Sequence, residues 1–445
     1  MSRLLDLSAR ALADAVRRGA ATPQAVAAET LARAEARNPA INAICHLNPA
    51  FEAEAETVAT RLAAGEPLPL AGVPVLIKDN IWVKGLRVSQ GSQLFSDHVA
   101  PEDAEAVARL RAAGATILGM TTCSEFACKG ATNSPHHGVT RNPVNSAMGP
   151  GGSSGGSVAA VAAGIVPLAL GTDAGGSSRR PPAHTGLCGL KPTQDLIPYG
   201  PSFDEPVWGI SVICPIARDV SDIALALQAL AGITPVTPDT IRIAVSPGFS
   251  TGQLCDAEVT ANFDAVRAAL RDAGLTLGEA RIDWGGIKGH DILPLQFAGL
   301  ANAYGTVWQE TPGLFDPVIA HQIETGLAMT GVEVAEAHQI SHRMKVALRE
   351  ALSRYHFIAT PTTPCPAWPA ELSAPATIGG MPAEPRDHAA FTPQINHAGV
   401  PAISIPCGQT EDGLPLGLQL IAEAGQDGAL MGLAQILEPI VKKVA

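Results

Sequence analysis

Apolar positions along this chain follow two alternating rhythms. In the first hundred residues they recur at helical spacing: ALADAVRRG at 11–19, a segment opened by Thr22-Pro23, and FEAEAETVATRLAAG at 51–65 each set an apolar face against a charged one. Thr22-Pro23 is itself a start signal, because the threonine oxygen can take up a free N–H of the first turn and proline fixes φ where its missing N–H costs nothing. LPLAGVPVLIKDNI at 68–81 breaks that period and reads as an extended apolar run with Lys78 at its end. EDAEAVARLRAAG at 102–114 followed by ATILGMT is a helix leading into a strand, and VAAVAAGIVPLALGTD at 158–173 repeats the order. Alternation of this kind predicts a layered α/β domain.

From about 238 to 350 modest strands such as TIRIAVS alternate with amphipathic helices, among them TANFDAVRAALRDAG and SHRMKVALREALSRY, and no catalytic motif occurs there. HFIATPTTPCPAWPAE reads as a strand entering a Pro-rich loop, and AGVPAISIPCG and LPLGLQLIAEA as two buried strands near the C-terminus. No linker, charge block or repeat divides the chain. The expectation is one domain over 1–445, with 240–350 as a subdomain or a cover over a cleft.

Composition sharpens this picture. The 445 residues are 46% hydrophobic and only 16% charged, against about 25% charged in an ordinary globular domain, which leaves little chain for solvated disorder. The 44 Gly and 36 Pro follow no G-X-Y period and belong to tight turns. With 30 basic against 42 acidic residues the net charge is −12, which excludes a general electrostatic footprint for nucleic acid or an anionic membrane. Eight cysteines without a CxxC pair match neither a zinc nor a redox spacing and suit a reducing, cytoplasmic setting. The N-terminal twenty residues lack the apolar core of a signal peptide, and the longest weakly polar run, 157–171, is too short to span a bilayer and contains Pro167.

Two glycine-serine loops carry the candidate chemistry, GPGGSSGGS at 149–157 and GTDAGGSSRRPP at 171–182. Glycines let several backbone N–H groups converge on one point, which suits a phosphate or a developing oxyanion. Neither loop continues into Lys-Ser/Thr, so the P-loop pattern fails. Gly151-Gly152-Ser153-Ser154-Gly155 also satisfies G-x-S-x-G, which would make Ser153 the nucleophile of an α/β-hydrolase, but no later histidine stands in a recognisable context. His136-His137 lacks further ligand spacing and reads as a polar loop, with no metal expected.

Taken together with Lys78, the two loops resemble the amidase signature family of serine hydrolases. GGSSGGS at 151–157, GTDAGGSSRRP at 171–181, GVPVLIKDNI at 72–81, EFA at 125–127, TRNPVN at 140–145, GLCGLKPT at 186–193 and ATPTTPCPA at 359–367 all match the family pattern, as does the C-terminal GVPAISIPCG with GLPLGLQLI. The likeness covers about 1–230 and 355–440. It implies a mixed, twisted sheet of about eleven strands with helices on both faces. It also implies Ser177 as nucleophile, Ser153 as a bridging serine preceded by a cis peptide bond, and Lys78 as base. A lysine can serve as base without a His-Asp pair when burial or a nearby cation lowers its pKa. Ala174, Gly175 and Gly176, with the N–H of Ser177, correspond to the oxyanion hole. Ser154, Asp173 and Arg179 correspond to positions that hold the loops together. Ala174 and Ser178 stand where larger apolar residues are common, which bears on pocket shape.

Ala127 and Cys128 resemble positions lining the acyl pocket, with Cys128 a packing residue. Arg180 either meets an acidic substrate group or is a structurally paired arginine. Phe297 and Trp308 are candidates for an apolar wall contributed by 240–350, or else core residues. The resulting expectation is a hydrolase without cofactor or metal that cleaves a small amide, carbamate or ester, with no nucleic-acid or membrane partner and with a homodimer compatible with it. The alternative is the glutamine-hydrolysing component of a tRNA-dependent amidotransferase. CKGATNSPHHGVTRN after EFA departs from the Ser-rich stretch usual there. A binding protein with a dead site is disfavoured because all three triad positions are filled.

Overall fold

The computed structural model describes residues 4–444. The helix signals act locally as expected. Ser8 accepts from the N–H of Ala11 to cap Ala9–Arg17, and Thr22 accepts from Ala25 to cap Pro23–Ile41. Thr330 and Glu333 form a reciprocal capping box at the head of Gly331–Arg354, so SHRMKVALREALSRY is the second half of a longer helix.

Eleven strands make the central sheet: β1 (Ile44–Leu47), β2 (Pro74–Lys78), β3 (Thr116–Thr121), β4 (Leu168–Asp173), β5 (Cys188–Lys191), β6 (Val212–Ala217), β7 (Ile243–Val245), β8 (Leu277–Glu279), β9 (Phe357–Pro361), β10 (Ala402–Gln409) and β11 (Pro415–Ala422). Their spatial order is β1-β3-β2-β4-β6-β5-β10-β11-β9-β7-β8. β3, β2 and β4 run parallel, as do β9, β7 and β8 at the far end, and the other neighbours are antiparallel. The expected mixed sheet is therefore observed, with two-residue strand pairs beside it. TIRIAVS contributes only three residues of strand, near one end of the sheet.

An unbroken apolar strand needs cover on both faces. Val75, Ile77, Leu168 and Leu170 face one core with Val107, Leu110 and the helix Val220–Ala231, while Leu76 and Ala169 face another with the helices Pro23–Ile41, Phe51–Ala63 and Gly155–Ala162. β2 and β4 pair in register through Val75–Leu168, Leu76–Ala169 and Ile77–Leu170. Parallel pairing brings their C-terminal ends to one edge, and both motif loops gather there. Residues 240–350 supply β7, β8 and the helices Ala257–Asp272, Leu293–Glu310, Pro317–Ala328 and Gly331–Arg354. Among the described residues no helix is long and apolar enough to cross a membrane.

Gly189 on β5 shows how tightly sheet and loop fit. A Cβ there would lie 2.0 Å from the Ser178 carbonyl oxygen. Gly189→Ala is predicted to lower stability by about 1–3 kcal/mol, the usual penalty for overpacking, and to lower activity with it because the displaced segment adjoins Ser177. Urea unfolding together with kcat/KM on one substrate checks this; unchanged values in both would show that the loop yields freely.

Candidate active site

Lys78 closes β2 and is fully buried. Its Nζ lies 2.7 Å from Ser153 Oγ and donates to Thr172 Oγ1 at 2.8 Å. Asn80 Nδ2 donates to the same threonine hydroxyl at 3.0 Å. The two nearby carboxylates are engaged elsewhere, Asp79 with His137 and Asp173 with Arg179. Burial lowers the Lys78 pKa to about 8, opposed by weaker attraction to groups such as Cys123 and Asp173.

Ser153 is buried on this lysine and follows a cis Gly152–Ser153 bond. Ser154 and Ser178 each donate to the Thr172 carbonyl, at 3.2 and 3.1 Å, which joins the two serine loops over the end of β4. Asp173 anchors the second loop. Its carboxylate accepts from Gly176 N (2.6 Å), Ser178 N (3.1 Å), Arg179 Nε and Nη2 (3.0 Å each) and Asn396 Nδ2 (2.9 Å). Arg179 and Asp173 are both wholly buried, and Arg179 Nη1 also reaches Gln419 Oε1 at 2.8 Å. These partners hold the Asp173 pKa well below the usual carboxylate range although burial pushes the other way.

One expected oxyanion donor is thereby engaged: the Gly176 N–H turns inward to Asp173. Among the described residues the N–H groups of Ala174, Gly175 and Ser177 have no protein acceptor. Gly176 is a position where glycine is required, with φ +109° and a Cβ that would sit 2.2 Å from Thr392 Oγ1. Ser177 is 7% exposed and lines a cavity of about 330 Å³ with Ala127, Ala174, Gly175 and Arg180. A narrower recess beneath it is lined by Ser177, Ser153, Thr172, Asn80 and Cys128. Among the described residues no hydrogen bond joins the Ser177 hydroxyl to Ser153.

Ala127 sits in a tight turn, with φ +59° following Phe126 at +50°, and borders both spaces. Burial pushes the Cys128 thiol up to about 12, so it stays protonated. The part of 240–350 that reaches the cavity is 251–253 together with residues between Lys288 and Gln296. Phe297 and Trp308 do not line it, and Trp308 packs beside the cluster of Phe126, Tyr304 and Phe315.

Ser153 follows no strand directly and bonds no histidine, so the nucleophile-elbow arrangement is absent. His137 Nε2 meets Asp79 Oδ2 at 2.9 Å, and Cys45 Sγ lies within 4.8 Å of this pair, which is the one candidate metal-ligand group among the described residues. Asp79 there also accepts from Ser89 N and Gly91 N, so it has a structural occupation. Sequence reasoning passed over Thr172 and Asn80, although both stand inside quoted motifs. It also passed over His388 and Arg386, which carry no local signal and reach the cavity region only through the fold.

Known proteins are similar to this chain in sequence and fold. The family model described as Amidase matches residues 25–431. The chain is 36% identical over 492 residues to a glutamyl-tRNA(Gln) amidotransferase component, the GatA-type polypeptide, of Deinococcus deserti, covering 98% of this chain and 97% of that protein. It is 33% identical over 462 residues to the acylamidase of Rhodococcus erythropolis, covering 98% and 95%. A crystal structure described as an amidase superposes with a TM-score of 0.90 at 28% identity, covering 98% of this chain and 100% of the other. The match runs through the lysine strand and both serine loops and extends over nearly the whole length of these relatives, and on that ground the chain belongs to the Amidase family, the amidase signature enzymes.

Proposed function

We propose that this chain hydrolyses the C–N bond of an amide, or of an amide-like carbamate or ester, through an acyl-enzyme on Ser177. The observation that carries the reading is a buried lysine without a paired carboxylate, its Nζ 2.7 Å from the hydroxyl of a serine that shares a recess with Ser177. A neutral amine has two N–H groups and one lone pair. Its donors can face Thr172 Oγ1 and the Thr172 carbonyl, 2.8 and 3.5 Å away, which leaves the lone pair for the Ser153 hydroxyl.

Ser177 gives its proton to Ser153 as Ser153 gives its own to Lys78, and Ser177 Oγ bonds to the carbonyl carbon. The free N–H groups of Ala174, Gly175 and Ser177 receive the oxyanion. Loss of one such donor typically costs 10²–10³ in rate. The proton returns from Lys78 through Ser153 to the leaving nitrogen as the C–N bond breaks. Water then repeats the sequence and releases the acid. The missing Ser177–Ser153 bond closes in the substrate complex, where catalytic hydrogen bonds commonly tighten.

A second reading has a specific observation behind it. The amidotransferase component of Deinococcus deserti is 36% identical along nearly the whole chain, which favours glutamine hydrolysis within a larger amidotransferase assembly. Glutaminase activity that appears only when partner proteins are added would establish it.

A serine-directed phosphonate followed by peptide mapping is expected to place the label on Ser177; label on Ser153 in active protein would overturn the assignment. Because Lys78 must be neutral to accept a proton and its pKa is lowered to about 8, kcat/KM for an amide should rise with pH along a limb near that value. Below the limb the ammonium form cannot act as base, so a flat profile from about pH 6 to 9 removes Lys78 from that role. Lys78→Ala should slow amide cleavage far more than cleavage of an ester with the same acyl group and an acidic leaving alcohol, since only the amine needs the returned proton. Equal losses on both substrates would show that Lys78 serves activation or loop support alone.

A further inference from the structure

Arg180 is three residues past Ser177 and only 2% exposed, yet among the described residues no carboxylate pairs with it. Its Nη1 meets Nδ1 of His388 at 2.7 Å. Burial, reinforced by Arg180 and Arg386, drives the His388 pKa well below its usual value, so the ring is neutral and offers a lone pair without counter-charge. Arg180 Nε is buried with no partner, among the described residues no hydrogen bond engages Nη2, and the side chain lines the cavity. The guanidinium lies over the nucleophile loop: a Cβ on Gly176 would come within 2.7 Å of Arg180 Nε.

The surroundings add positive charge. Arg386 borders the same cavity and uses one nitrogen on the Cys128 carbonyl, at 2.9 Å. Asp173, one carboxylate acting on Arg180, is committed to Arg179. Glu384 and Asp387 reach the cavity rim, but Asp387 accepts from the Glu384 N–H and neither meets Arg180. A buried guanidinium is costly unless an anion completes it, and its planar fork fits a carboxylate with two parallel hydrogen bonds.

We infer that the substrate carries a carboxylate close to the scissile amide and that Arg180 selects for it, with Arg386 adding to the field. This rests on Ser177 as the nucleophile only for which bond is cut; the anion subsite stands on its own geometry. Whether the acid belongs to the acyl or the amine portion is decided by the probes.

The experiment compares kcat/KM for the monoanilide of succinic acid and for butyryl-aminobenzoic acid, each against butyranilide. One acid-bearing anilide is expected to exceed the neutral one by about ten- to hundredfold, the worth of a charge-assisted hydrogen bond, mostly through KM. Arg180→Met should collapse that ratio toward one, and Arg180→Lys should retain part of it. Equal values for acid and neutral anilides in the unmodified protein, or a preference that survives Arg180→Met, overturns the inference. Succinate binding followed by thermal shift gives a readout free of catalysis: it should raise the Tm of the unmodified protein and of Arg180→Lys, while butyramide does not. A chain that binds succinate through Arg180 but neither takes label on Ser177 nor cleaves any anilide would refute the hydrolase reading and leave the anion subsite standing; absence of any succinate effect, with labelling intact, does the reverse.

Discussion

The Asp173 carboxylate is the point on which the second serine loop depends, and the Thr172 carbonyl beside it joins that loop to the first. The carboxylate collects two backbone N–H groups of its own loop, the Arg179 guanidinium and the Asn396 amide, all out of contact with water. Breaking such a buried pair from one side typically costs about 3–5 kcal/mol, because the remaining charge has nowhere to go. The loop therefore has one conformation in which its charges are satisfied. That conformation turns the Gly176 N–H inward and leaves the amides of Ala174, Gly175 and Ser177 free. Through Arg179 the same hub reaches Gln419 on β11, so the second serine loop is tied to a strand far away in sequence.

Two other cations are treated differently by the same interior. Lys78 and Arg180 are buried without a paired carboxylate, and burial lowers the pKa of each. For lysine the consequence is a shift toward the neutral form at ordinary pH, the form the proposed base role needs. Arginine does not give up its proton in proteins, so for Arg180 the consequence is an unmet demand for an anion. One physical cause thus shifts the amine toward its neutral form and leaves the guanidinium charged without a carboxylate partner.

Much of the fold was legible because its signals are local. Ser8, Thr22 and Pro23 act within one helical turn, and the apolar run ending at Lys78 requires cover on both faces wherever it is placed. The loops were legible as chemistry because dense glycine near serine has few other uses. What could not be read is which N–H groups those glycines leave free, since that depends on the long-range Arg179–Asp173–Asn396 contacts. Phe297 and Trp308 show the same limit: an aromatic side chain on a helix is equally at home in a core or on a wall, and the helix's rotation decides between them.

By itself the sequence determined most of the elements, the layered α/β class and the family, and it set the lysine and serines within recognisable motifs, because periodicity, caps and short motifs are written in contiguous residues. Only the tertiary structure decided the electrostatics. Pairing β2 in parallel with β4 brings Lys78 to Thr172 and Ser153, residues 75 or more positions away, and folding of the 380s segment sets His388 and Arg386 beside Arg180. Charge state and hydrogen-bond satisfaction depend on everything within a few ångströms of a group, and in a buried site those neighbours come from the whole length of the chain.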